Sequence, residues 1–94
     1  KLKVGAAQGA PTIISANGAT VYRISGYASS GNAVYSVHNN NSLNGNGRTN
    51  VIAEGGEASQ YDSFPTIDFG SEGIECDTGI VVWTSTAAVS VQYR

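Results

Sequence analysis

The aliphatic residues of this chain are almost all β-branched: nine Val and seven Ile stand against two Leu, Leu2 and Leu43, and there is no Met. A second substituent on Cβ loses rotamer freedom in a helix and packs well on a pleated surface, so this choice favours strands. Twelve Gly, eight Asn, eleven Ser and seven Thr add turn and edge chemistry at the expense of helix. No window carries a helical period, and short alternating runs recur at spacings of about 8–12 residues. The expected fold is therefore all-β: one small antiparallel β-sandwich or jelly-roll-like domain. At 94 residues the chain fits one domain with a single small core.

The runs can be placed along the chain. Residues 1–11, "KLKVGAAQGAP", have little periodicity and end at Pro11, so they read as an N-terminal arm or edge strand, with the sandwich occupying 12–94. "TIISA" and "ATVYRISGYA" flank Asn17-Gly18, a pair suited to a type I′ turn, and a hairpin between them is expected. In the second run Tyr22, Ile24 and Ala28 share one face while Val21, Arg23, Ser25 and Tyr27 share the other, and Gly26 points to a bulge or close packing. "AVYSVH" and "VSVQYR" alternate cleanly, the latter with Val89, Val91 and Tyr93 on one face. Between them, residues 39–50, "NNNSLNGNGRTN", offer too little apolar surface to order by packing and read as a long exposed Asn-rich loop.

Charge narrows the functions available. Charged residues make up 13%, about half the ~25% of an ordinary soluble domain, which fits a chain that is extracellular or packed in an assembly. Five scattered basic residues and a net charge of −2 provide no stripe for a phosphate backbone, so no nucleic-acid partner is expected. No apolar run approaches the ~18 residues of a membrane-spanning helix, and no membrane association is expected.

The densest stretch chemically is "ECDTGIVVWTS", residues 75–85, which holds the only Cys and the only Trp. Carboxylates at Glu75 and Asp77 oppose thiolate formation at Cys76, and strand parity puts Cys76 on the face of Ile74, so a buried small hydrophobe is expected. A lone Cys forms no internal disulfide and no thiolate metal site by itself. His38 is the only histidine, at the junction of a strand and the Asn-rich loop, where a solvent-exposed or hydrogen-bonded role is expected; no nucleophile elbow, P-loop or dinucleotide motif accompanies it. Asp68, Glu72, Glu75 and Asp77 match no calcium-loop spacing and read as the polar face of a strand and its turn. No catalytic residue, metal or cofactor is expected. "IVV", residues 80–82, is apolar on both faces, so its strand is expected to be central in the sandwich or covered by another subunit.

The last quarter of the chain, "GSEGIECDTGIVVWTSTAAVSVQYR", joins a Gly-rich turn, a "GIECDTGIVV" segment, a small-residue hairpin and a closing "VSVQYR". This pattern resembles the C-terminal signature of small all-β virion proteins of tailed bacteriophages. The run "ATVYRISGYASSGNAVYSVHNN" is similar to their central hairpin. The resemblance covers residues 12–94 in outline and the last 25 residues at motif level. It implies a non-enzymatic capsid decoration or cement protein on the capsid surface of the virion, commonly a homotrimer, with the major capsid protein or other virion proteins as partners.

Two functions follow from these readings. In the first, many copies bridge capsid subunits and avidity holds the shell. Its interface candidates are Trp83, Tyr27, Leu2, Val4 and Pro11, aromatic anchors and the apolar residues of the N-terminal segment. The alternative is a carbohydrate-binding or adhesion module of a secreted or tail protein, using exposed aromatics and the 39–50 Asn side chains.

Overall fold

The computed structural model describes residues 2–43 and 49–94 and contains nine strands among them. They are β1 (Lys3–Gln8), β2 (Thr12–Ser15), β3 (Ala19–Ala28), β4 (Ala33–His38), β5 (Val51–Glu57), β6 (Ile67–Asp68), β7 (Ile74–Cys76), β8 (Ile80–Ser85) and β9 (Ala87–Tyr93). The first sheet runs β1-β9-β3-β6, with β7 also paired to β3, and the second runs β2-β8-β4-β5. All pairs are antiparallel.

Successive strands mostly change sheet. Among the described residues only β4 and β5 are both consecutive and paired. With β6 and β7 counted as one interrupted strand beside β3, the two sheets read 1-8-3-6 and 2-7-4-5, the double Greek key of a jelly roll. The molecule is a slab whose Cα extents are 33 × 31 × 17 Å, as expected of two sheets stacked about 10 Å apart.

The core lies between the sheets. Ala7, Ile24, Ala28, Val89 and Val91 meet Ala33, Tyr35, Val37, Ile80 and Val82 from the opposite side, with Phe64 closing one end. The rings of Tyr35 and Phe64 pack at 4.8 Å and 56°, a tilted arrangement that suits their quadrupoles. Tyr93 packs against the edge of this cluster.

Three local expectations need correction. Asn17-Gly18 does not close a hairpin: β2 lies in one sheet and β3 in the other, and Ser15 stabilises the crossing by pairing its hydroxyl with the backbone of Asn17. Thr86, at φ 51°, likewise carries the chain from β8 to β9 across the sandwich, so the "TSTAA" segment is a corner and not a hairpin. In β3 the register shifts between Val21 and Arg23, so Val21 and Ile24 both face inward despite opposite parity. Tyr22, at the shift, sits under the Arg94 guanidinium, 5.7 Å from its ring centre.

Gly26 is the close-packing case. A Cβ there would collide with the backbone of Ala88 and Val89, which cannot move aside as a side chain can. The strand β8 is central between β2 and β4, and Val81 on its outward face is fully buried within the single chain. Burial of the "IVV" run therefore requires no second subunit. Of the Asn-rich segment, residues 44–48 lie outside the described residues; its flanks are joined by Asn39 N–H to Asn50 O at 2.9 Å and by Asn40 Nδ2 to Thr49 O at 3.1 Å.

Candidate functional site

Cys76 is fully buried on β7, and burial, followed by the charge of Asp77, pushes its thiol up to about 11. The turn after it is held by one side chain from elsewhere: Asn39 donates from Nδ2 to Asp77 Oδ1 at 2.9 Å and accepts from the backbone N–H of Thr78 at 2.9 Å and of Gly79 at 3.4 Å. The Asn39 amide is also the main reason the Asp77 carboxyl lies below the usual carboxylate range. Gly79, at φ 155°, is buried where a Cβ would lie 2.6 Å from the carbonyls of Ser15 and Asn40. The Asp-Thr-Gly segment is thus a docking turn that joins three connections at one end of the sandwich. Among the described residues, no three His, Cys, Asp or Glu side chains gather as a metal site would require.

His38 is buried, 1% exposed, and not at the surface. Its Nδ1 lies 2.9 Å from the carbonyl oxygen of Thr49, which only accepts, so Nδ1 carries the proton. Its Nε2 lies 2.7 Å from the Ser36 hydroxyl oxygen. Sequence reading missed this pair. Ser-x-His on an alternating strand puts both side chains on one face, and that spacing was the available signal.

The five interface candidates fall on different parts of the slab. Trp83 is half-buried on the outward face of the second sheet, where register aligns Trp83, Ser36 and Glu54 across β8, β4 and β5. The next row is Ser85, Val34 and Gly56, and the two rows line a shallow groove of about 500 Å³. Tyr27 and Val4 lie on the outward face of the first sheet, 43% and 67% exposed, and Leu2 precedes β1 at its edge, 44% exposed. Pro11 is exposed at the corner between β1 and β2. The structure therefore brings Tyr27 and Val4 onto one face and puts Trp83 on the opposite one.

The face of the first sheet has a regular layout. Its central row is Ala6, Ser90 and Ser25, flanked by Gln8, Ala88 and Tyr27 on one side and by Val4, Gln92, Arg23 and Asp68 on the other. Small residues inside larger ones leave a depression of about 380 Å³, which Ser63 and Thr66 also border. The only charged members of these rows, Arg23 and Asp68, sit at one end. Among the described residues the β1 strand is the edge of this sheet, with one side unpaired.

No protein-family model matches this chain, and no curated protein matches it.

Proposed function

We propose that this chain is a non-enzymatic structural protein of a bacteriophage virion, a capsid decoration or cement subunit that binds through the outward face of its first sheet. The observation that carries the assembly reading is that face: three registered rows around a shallow depression, edged by exposed Val4 and Tyr27, with charge confined to Arg23 and Asp68 at one end. Charge is depleted at the centres of protein interfaces, and aromatic residues are enriched there. A face about three strands wide is also large enough for each copy to contribute a modest contact, which multiplicity on a symmetric shell then amplifies. The virion assignment itself rests on the resemblance of the "GIECDTGIVV" and "VSVQYR" segments.

The first test is the mass of the purified protein by light scattering together with its sedimentation with capsid shells. An oligomer that cosediments is expected, and Ser90→Arg, which places a long charged side chain in the central row, is expected to abolish both while leaving the circular dichroism of the monomer unchanged. A protein that is monomeric at every concentration and never cosediments would overturn the reading. So would a Ser90→Arg variant that assembles normally.

A further inference from the structure

The crossing from β2 to β3 carries chemistry of its own, and it does not depend on the assembly reading, which uses an outward face. We propose that Asn17-Gly18 is a self-modification site: in the folded protein the Asn17 side chain is converted to a carboxylate through a cyclic imide, Ser15 promotes the step, and the conversion loosens this corner.

The reaction needs a main-chain nitrogen free to attack the preceding side-chain amide. The nitrogen of Gly18, having given its proton to hydroxide, bonds to Cγ of Asn17; the Cγ–Nδ2 bond breaks and ammonia leaves with a proton from water. Water then adds at either carbonyl of the imide and reopens it, giving an aspartyl or an iso-aspartyl linkage. The net exchange is an NH2 for an OH, and nothing is oxidised or reduced.

Three observations place this chemistry at Asn17. The first is access: both residues are exposed, and Gly18 has no Cβ to obstruct the approach to Cγ. The second is freedom. The pair crosses between sheets and closes no hairpin, and among the described residues the Gly18 N–H donates to no acceptor and the Asn17 side-chain amide has no partner. The reacting groups therefore meet without first giving up a native hydrogen bond.

The third is activation. Ser15 donates its hydroxyl to the Asn17 carbonyl oxygen at 2.8 Å and accepts from the Asn17 N–H at 3.3 Å. That carbonyl belongs to the same peptide unit as the Gly18 nitrogen. When the nitrogen loses its proton, resonance spreads the negative charge onto the carbonyl oxygen, where a donor already waits and the bond becomes charge-assisted. The product then alters a tight contact. A Cβ on Gly18 would lie 2.9 Å from the carbonyl oxygen of Asp77, so the chain here lies close against the turn that Asn39 holds. An iso-aspartyl linkage adds a methylene to the main chain just before that contact, and either product adds negative charge near Asp77.

Residues 4–23 form one tryptic peptide in which Asn17 is the only asparagine, so conversion can be followed by mass. The intact protein would be aged at pH 8, folded or in urea, and mapped at intervals, with fragmentation separating the two products. The folded protein is expected to convert at least as fast as the unfolded chain, and its denaturation midpoint to fall as product accumulates. Ser15→Ala is expected to slow the folded reaction about two- to tenfold, the worth of a hydrogen bond, and to leave the rate in urea unchanged. Ser15→Thr keeps the hydroxyl and should keep the folded rate. If circular dichroism shows that Ser15→Ala does not fold, the ratio of folded to urea rates in the unaltered protein decides. A folded rate about tenfold or more below the urea rate would overturn the proposal, since the charge-assisted bond then gives no help. So would an undiminished rate in folded Ser15→Ala, or a midpoint that holds at full conversion.

Discussion

Packing constrains the identity of both Cys76 and Gly26. The Cys76 thiol, raised to about 11 by burial and by Asp77, is protonated across the neutral range, whereas an unfolded chain ionises near 9.0. Its reaction with iodoacetamide at pH 8 is expected to run about a hundredfold slower in the native protein than in urea, from the thiolate fraction alone. The linkage has a definite sign. Because the folded value is raised, the stabilising contribution is complete below pH 9.0 and is lost as the pH rises towards about 11. Tyr35, also raised by burial, adds to the decline at the top of that window. Denaturation midpoints measured from pH 8 upward should fall, and fall less steeply in Cys76→Ala. Gly26→Ala is expected to cost about 1–3 kcal/mol by urea denaturation, since the added methyl meets backbone and not a movable side chain. The burial of Cys76 was legible from parity and from its acidic neighbours. The inward turn of Val21 was not, because a bulge is a feature of backbone pairing with β9 that alternation in β3 alone cannot register.

At the level of elements, the strands were legible and their partners were not. Runs such as "AVYSVH" and "VSVQYR" carry their own period, and β4 and β9 appear where that period ends. Pairing depends on which face meets the core from across the molecule, which is why Asn17-Gly18, a strong local hairpin signal, serves as a crossing between sheets. The groove was hidden for the same reason: Trp83, Ser36 and Glu54 come from three strands and align only through register. Asn39 belongs to this scale because it ties the start of the Asn-rich segment to the β7–β8 turn. Asn39→Ala removes these bonds and is expected to destabilise the protein by about 1–2 kcal/mol in chemical denaturation. In the same variant the Asp77 carboxyl, followed by NMR titration, should move up towards the ordinary carboxylate range, because the Asn39 amide is the largest influence holding it down. A midpoint that stayed in place would show that the turn is held by other means.

The whole molecule is built from distant partners. The pairing of β9 with β1 closes a loop that spans nearly the full chain, and β9 also forms the inner flank of β3. Loop closure on this scale must precede the contacts that reward it, so refolding from urea is expected on the millisecond-to-second scale, as for other all-β sandwiches. Stopped-flow fluorescence of Trp83 measures this directly, and folding within microseconds would contradict the topology. The composition announced a sandwich because β-branched residues leave few alternatives, while the jelly-roll winding is a property of sheet order that no local segment encodes. The β1–β9 ladder has one further consequence. Lys3 lies opposite Tyr93, and Arg94 is fixed to Thr20 by paired backbone hydrogen bonds of 2.9 Å, so the chain enters and leaves the slab at the same corner. A host protein could carry this unit as an insertion in one of its surface loops: the two junctions would lie side by side, and the host backbone would part only by the width of a strand pair.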